Sequence, residues 1–191
     1  MLRWFIILLF LGTVESSFAV ENELKIGMPA PELIGREAAG PRLLKLSALM
    51  KEVGFERNPE GRFREVNGKY VVQVTRNAVV LNFFATTCIP CIREIPSFNR
   101  VATRFQGKPV KLLYVNVDPE LTEEKIRYFI EKLQIQVPMM LPNQQHAIET
   151  YGVQSLPRLV LINREGVIDK ILTGFQDDLE QQLEKWIEGL L

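Results

Sequence analysis

Cysteine and histidine are scarce in this sequence. Its 191 residues include two cysteines, Cys88 and Cys91, and one histidine, His146. A structural zinc site usually takes four Cys or His ligands, so the chain cannot build a complete site of that kind. Small secreted scaffolds that depend on several disulfides are also excluded. We interpret His146, which stands in a polar run, as a solvent-exposed side chain.

An excess of charge of either sign is absent as well. The sequence has 23 Lys and Arg against 23 Asp and Glu, a formal net charge of zero. Proteins that bind nucleic acid or anionic lipid usually concentrate positive charge on one surface, and no basic cluster of that size is present. The sequence therefore predicts no nucleic-acid partner, and proteins or small thiols are the expected partners.

The apolar run at the amino terminus is short for a membrane span. Arg3 precedes the letters WFIILLFL, and small residues recur up to Ala19. A spanning helix needs roughly 20 apolar residues, whereas a secretory signal peptide combines a basic start, a shorter apolar core and a small-residue cleavage site. We predict a signal peptide over residues 1–19, with an uncleaved anchor as the alternative. Residues 20–191 then form one exported domain.

From residue 78 onward, strand and helix patterns alternate. Strands are predicted at 78–84, 110–117, 158–163 and 167–174, and helices at about 91–105, 126–133, 146–151 and 179–190. The order strand, helix, strand implies a parallel pair, and the short turn at 164–166 implies an antiparallel hairpin. The predicted fold class is therefore α/β, a central mixed sheet flanked by helices on both faces.

The first third of the chain departs from this alternation. Residues 26–49 contain short strands and a helical turn, which we expect to pack against the core as an N-terminal extension. Residues 50–77 are polar, and Asn67-Gly68 lies between two alternating runs, which indicates a hairpin. This hairpin is inserted before the strand that leads to the cysteines. A lid, a partner-docking hairpin and a passive loop are all compatible with the pattern.

The pair Cys88-x-x-Cys91 admits three interpretations from the residues alone. As a structural staple it closes a very short loop, for which the chain-entropy estimate is only about 2 kcal/mol. As a pair of thiolates it can bind a soft Cu(I) ion. As a redox centre it is well placed, because Cys88 falls where a buried strand passes into a helix, and the positive end of the helix dipole favours thiolate over thiol. Cys91, one turn inside the helix, can then resolve a mixed disulfide.

The stretch FFATTCIPCIREIPSF resembles the FWATWCxPCxxExP motif of thioredoxin-like proteins, and particularly the exported TlpA/ResA type of thiol-disulfide oxidoreductase. GMPAPEL, LLYVNVD and GVQSLPRLVLINREGVIDKILTG are similar to further motifs of that group, in the same order. The resemblance covers about residues 26–49 and 78–191. It implies a thioredoxin-like fold.

The resemblance also implies roles for individual residues. Cys88 matches the nucleophile and Cys91 the resolving cysteine of a redox-active disulfide, and Pro157 matches the cis-proline whose preceding backbone, at Leu156, pairs with an extended substrate segment. Glu94 matches the acid of the CxxCxxE pattern and is the expected proton acceptor.

Three positions differ from the family pattern or carry weaker signals. Asn82 stands where thioredoxins carry a buried aspartate, and an amide cannot titrate. Thr87 replaces the tryptophan that usually precedes the first cysteine. Asp118, at the end of a predicted strand, is a weaker candidate for proton transfer, and a turn residue or helix cap is its alternative interpretation.

The function that the resemblance implies is reduction of disulfides in exported proteins. Such proteins keep the cysteines of apocytochromes c or copper-site proteins reduced and receive electrons from a membrane thiol transporter. A location in the periplasm or on the outer face of the cytoplasmic membrane, a monomeric state, no cofactor and no metal go with this prediction. A non-enzymatic Cu(I)-binding module and a disulfide-forming oxidase remain the alternatives.

Overall fold

The computed structural model describes residues 24–119 and 121–191. The predicted signal segment, residues 1–19, lies outside these ranges. The strands are β1 Ile34–Glu37, β2 Leu43–Lys45, β3 Lys51–Phe55, β4 Glu65–Val66, β5 Lys69–Tyr70, β6 Val72–Arg76, β7 Ala78–Phe84, β8 Val110–Asn116, β9 Met139–Pro142, β10 Arg158–Ile162 and β11 Ile168–Thr173. The helices are α1 Leu46–Met50, α2 Ile89–Arg104, α3 Glu123–Lys132, α4 Gln144–Tyr151 and α5 Leu179–Leu190.

Seven strands form one mixed sheet in the order β11-β10-β7-β8-β9-β1-β2. The three central strands β7, β8 and β9 are parallel, and the remaining neighbours pair antiparallel. The predicted mixed sheet is confirmed, including the antiparallel hairpin of β10 and β11. Strand β9, whose sequence is MMLP, lies inside the sheet between β8 and β1.

Alternation along β7 separates two apolar cores. Val80 and Phe84 face a core that also receives side chains of α2, α3 and α5. Val79 and Phe83 face a second core shared with α1 and α4. Successive side chains of a strand point to opposite faces, and both faces of β7 are covered by a core. Every residue of β7 is therefore buried. The predicted helices on both faces of the sheet are thereby confirmed.

Helix α2 begins directly after Cys88, two residues earlier than its apolar spacing alone predicts. Pro90 lies in its first turn, where a missing N–H is tolerated because that group has no partner within the helix. Ile95, Phe98 and Val101 form its buried face. The helix continues through Pro96 to Arg104. This strand-to-helix transition places the two cysteines at the carboxyl end of β7.

The insertion forms a solvent-exposed two-stranded ribbon, defined here as residues 51–76. Its base, next to the sheet, is β3 paired antiparallel with β6, and its tip is the hairpin of β4 and β5. Asn67 and Gly68 have positive φ angles of 52° and 74°, as the predicted two-residue turn requires. The predicted hairpin is confirmed, but its strands are only two residues long, and the longer pairing is that of β3 with β6, which the pattern did not predict. The ribbon contains no buried residue.

None of the helices built by residues 24–119 and 121–191 has the combination of length and apolarity that a bilayer crossing requires.

Candidate active site

Cys88 and Cys91 are joined by a disulfide, with their Cα atoms 5.3 Å apart. Cys88 is the N-cap residue of α2, and its Sγ accepts a hydrogen bond from the backbone N–H of Cys91 at 3.2 Å. Cys91 is only 2% exposed, whereas Cys88 is half-buried. The sulfur that solvent and a partner can reach is therefore that of Cys88, and it already lies among the unpaired N–H groups of a helix terminus.

Pro157 lies beside the end of the strand that leads to the cysteines. Strand β10 pairs with β7 so that Arg158 is opposite Phe83, which places Pro157 next to Phe84 and Leu156 just beyond the strand. The Leu156–Pro157 peptide bond is cis, as the family resemblance implies. Pro157 is buried and Leu156 is half-buried. The structure thus brings the proposed substrate-binding backbone to the same edge as Cys88.

Glu94 lies one turn along α2 from Cys91 and is 1% exposed. Burial raises the pKa of its carboxyl group to about 7, against an opposing hydrogen bond from the backbone N–H of Gln176 to Oε1, 3.2 Å long. A carboxyl group with this pKa exchanges a proton readily at neutral pH. The sequence prediction of Glu94 as a proton acceptor therefore has a physical basis, although its role stays a prediction.

A loop after β11 connects Glu94 to the cis-proline. The N–H of Gly174 donates to the carbonyl of Pro157 at 2.8 Å, and Gly174 has a φ of 88°, a conformation that glycine adopts without strain. Two residues later, Gln176 donates to Glu94. Sequence reasoning missed Gln176, because its contribution is a backbone N–H brought there by the tertiary structure.

Asp118 holds the residues that precede Cys88. Its Oδ2 accepts hydrogen bonds from the backbone N–H of Thr86 and from the Asn116 side chain, both at 2.7 Å. The interpretation of Asp118 as a helix cap is wrong, since the side chain of Thr122 caps α3. Thr87 lies between Thr86, which Asp118 holds, and Cys88, and its side chain is exposed.

Two residues that the sequence analysis singled out, Asn82 and His146, lie outside the CxxC segment. Asn82 is buried in β7, and His146 is exposed on α4. Within residues 24–119 and 121–191, no three His, Cys, Asp or Glu side chains are grouped so that they could hold a metal ion.

The sequence matches the model of the AhpC/TSA family over residues 57–171, more than half of the chain. This matched region begins inside the ribbon and includes the cysteines, Glu94 and Pro157.

Several curated relatives are named thiol-disulfide oxidoreductase ResA. The protein from Geobacillus thermodenitrificans is 38% identical over 109 residues, covering 56% of this chain and 61% of that relative. The one from Halalkalibacterium halodurans is 32% identical over 65% of this chain and 64% of its own length. The chain thus spans less than two thirds of these two relatives. The Bacillus anthracis protein is 24% identical over 98% of this chain and 94% of its own.

Solved structures share the architecture. The thioredoxin domain of a thiol-disulfide oxidoreductase from Bacteroides vulgatus superposes with a TM-score of 0.64 at 20% identity, over 86% of this chain and 99% of that one. A thiol:disulfide interchange protein from Bacteroides sp. gives a TM-score of 0.64 at 22% identity, over 87% and 92%. Together with the disulfide at the start of α2 and the cis-proline beside it, these likenesses show that the chain has a thioredoxin-like fold and belongs to the AhpC/TSA family.

Proposed function

We propose that this protein is an exported thiol-disulfide oxidoreductase that reduces disulfides of other exported proteins. The observation that carries the proposal is the position of the Cys88–Cys91 pair. Its outer sulfur caps helix α2 and its inner sulfur is buried. The names of the ResA relatives support the same activity. Reduction rather than oxidation, and substrates such as apocytochrome c or copper-site proteins, follow from the resemblance to the TlpA/ResA group.

The reaction proceeds by two exchanges of sulfur partners. In the reduced protein the Cys88 thiolate attacks one sulfur of the substrate disulfide, which forms a mixed disulfide and releases the other substrate sulfur as a thiolate. Cys91 then gives its proton to the Glu94 carboxylate and attacks Cys88 Sγ. The second substrate thiolate leaves, and both substrate thiolates take protons from Glu94 and water. Two electrons have passed to the substrate, and the Cys88–Cys91 disulfide remains.

Leu156 and Pro157 are proposed to hold the substrate during this exchange. They lie immediately before β10, beside the carboxyl end of β7, and an extended substrate segment can pair there as an added strand. A membrane thiol transporter is the proposed electron donor that restores the dithiol. We propose that the protein acts as a monomer, without a cofactor, after export directed by residues 1–19.

A stoichiometric exchange with purified protein tests the activity. The reduced protein is mixed with a disulfide-containing protein, the reaction is quenched with an alkylating reagent, and the masses of both proteins are measured by mass spectrometry. Two thiols should disappear from this protein as two appear on the substrate. Cys88→Ser should abolish the exchange, whereas Cys91→Ser should stop at the mixed disulfide. No transfer to any protein disulfide, combined with tight Cu(I) binding by the dithiol, would favour the copper-binding alternative instead.

A further inference from the structure

Three buried polar atoms in one core have no hydrogen-bond partner among the residues that the structure describes. They are Asn82 Oδ1, Glu94 Oε2 and Tyr114 Oη. The three residues are 2%, 1% and 1% exposed. Buried polar atoms are nearly always paired in folded proteins. Three exceptions within the core that contains Cys91 therefore need a common explanation.

The sheet register brings two of these groups together. Asn82 and Tyr114 are direct partners in the parallel pairing of β7 with β8, so their side chains project to the same face of the sheet. Val80 and Phe84, two residues to either side of Asn82, mark that face as the one covered by α2.

Helix α2 supplies the third group. The Tyr114 ring lies 4.8 Å from the ring of Phe98, measured between centroids, and Phe98 is one turn beyond Glu94. Burial, and then the nearby Glu94 carboxylate, raise the pKa of Tyr114 far above its ordinary value. Glu94 has one oxygen bonded to Gln176 and the other free.

We propose that Tyr114 is a positioning residue for Glu94. The two groups are not bonded to each other in this structure, and when the carboxylate ionises a side-chain rotation lets the Tyr114 hydroxyl donate a hydrogen bond to Glu94 Oε2. A tyrosine hydroxyl can donate, whereas Asn82 Oδ1 can only accept. Asn82 Oδ1 is therefore suited to the protonated form of Glu94, which has a proton to donate. Each protonation state of Glu94 then has a partner within the core. This inference rests on the proposed role of Glu94 as proton acceptor for Cys91.

Other ionisable groups near Glu94 are few. Helices α3 and α5 present apolar side chains to this core, and β7 presents Asn82, which does not titrate. Arg93 is directed to the surface, where its guanidinium lies 4.4 Å from the Phe175 ring centroid. Arg100 and Arg104 of α2 pair at the surface with Glu180 and Glu184 of α5. The titratable residues that share this core or flank Gln176 are the cysteine pair, Tyr114 on β8, and the exposed Asp177 and Asp178 in the loop after β11. Tyr114 is therefore the one buried titratable hydrogen-bond donor among these side chains outside the cysteine pair, and the Asn82 amide, which also has N–H groups, does not titrate.

The test is the pKa of Glu94 in the oxidised protein, followed through its carboxyl carbon by NMR. Tyr114→Phe should raise this pKa by about one pH unit, a tenfold change in the ionisation constant, because the ionised form loses a donor. Tyr151→Phe is the matched control. Tyr151 is equally buried but lies in the opposite core, where its hydroxyl donates to the carbonyl of Pro31. This control should leave the pKa of Glu94 unchanged.

A second measurement starts from the wild-type protein and so does not depend on the folding of Tyr114→Phe. In the wild-type protein the Cζ signal of Tyr114 should titrate with the same midpoint as Glu94, and it should be flat over that range in Glu94→Gln. A flat signal in the wild type, or an unmoved Glu94 in Tyr114→Phe, would overturn the proposal and indicate that the hydroxyl pairs with Asn82 alone.

The pH profile of disulfide exchange separates this inference from the proposed function. If both are right, Tyr114→Phe moves the midpoint of the exchange rate upward together with the pKa of Glu94, and it moves nothing in a Glu94→Gln background. If the pKa rises but the rate profile does not move, the hydrogen bond is supported while Glu94 is not the proton acceptor.

Discussion

At the scale of single residues, Glu94 is the most informative side chain beside the disulfide. Its folded-state pKa of about 7 lies above the ordinary value of 4.5 because the carboxyl group is buried. The native state therefore holds a proton that the unfolded state has already lost between these two pH values. Its contribution to stability is fully present below about pH 4.5 and is lost as the pH rises through about 7.

Replacing Glu94 with Gln should remove this pH dependence. We expect the free energy of unfolding of Glu94→Gln, relative to wild type, to increase between pH 5 and pH 8 by up to about 3 kcal/mol, the equivalent of the pKa difference. Denaturant unfolding of the oxidised protein at both pH values measures it. Glu124→Gln, at an exposed position on α3, is the control and should show no such increase. A pH-independent difference for Glu94→Gln would mean that the buried carboxyl group is not the titrating group.

The two sulfurs should also differ in reactivity. Cys88 lies at the N-terminus of α2 and is reachable, whereas Cys91 is buried, so Cys88 should form the thiolate at lower pH and react faster. Alkylation rates of Cys91→Ser and Cys88→Ser, followed against pH, provide the comparison. Equal rates at the two positions would contradict the assignment of Cys88 as nucleophile.

At the scale of elements, the ribbon of residues 51–76 contacts the rest of the fold through polar groups at its base, such as the ion pair of Glu52 with Lys111. One of its faces is apolar, because Val53 is opposite Val74 and Phe55 is opposite Val72 in the β3–β6 register. All four side chains are exposed. The ribbon stabilises neither apolar core, since the members of both cores lie outside it.

The ribbon should therefore be removable. The backbone N–H of Asn77 donates to the carbonyl of Met50 at 2.8 Å, so the two ends of the insertion already lie side by side. Replacing residues 51–76 with Asn-Gly should change the free energy of unfolding by less than about 1 kcal/mol, the scale of an average point mutation, and should leave reduction of a small disulfide unchanged. Denaturant unfolding and an exchange assay are the measurements. Loss of the folded state would show that the ribbon stabilises the sheet.

Elements near the cysteines were the most predictable from sequence. The run AVVLNFF identifies β7 because all seven side chains are apolar or small enough to be buried, and the CxxC that follows marks the start of α2. The ribbon was only partly predictable. Asn67-Gly68 indicates the tip. Strands β3 and β6 have no buried face, and Gly54 interrupts β3, so no run of buried apolar residues marks either strand in the sequence. Tyr114 and Gln176 could not be predicted as neighbours of Glu94, because strand register and loop closure are set by long-range contacts.

At the scale of the whole molecule, the disulfide and the ribbon lie at opposite ends of the sheet. The ribbon is attached at the amino end of β7, where Arg164 Nε also donates to the carbonyl of Arg76, and Cys88 follows the carboxyl end. A strand of seven residues spans about 20 Å. A lid over the disulfide would have to fold back along the full strand, so a docking role or a passive insertion fits this placement better.

The most direct test of thiol-disulfide exchange is to trap the natural partner. In Cys91→Ser the second exchange cannot occur, so a mixed disulfide through Cys88 should accumulate in the native compartment. Non-reducing electrophoresis followed by mass spectrometry identifies the attached proteins, with Cys88→Ser/Cys91→Ser as the control. The proposal predicts reducible complexes with exported proteins whose own cysteines form disulfides, and none in the control. Recovery of a folded, exported Cys91→Ser protein without any Cys88 adduct would contradict it.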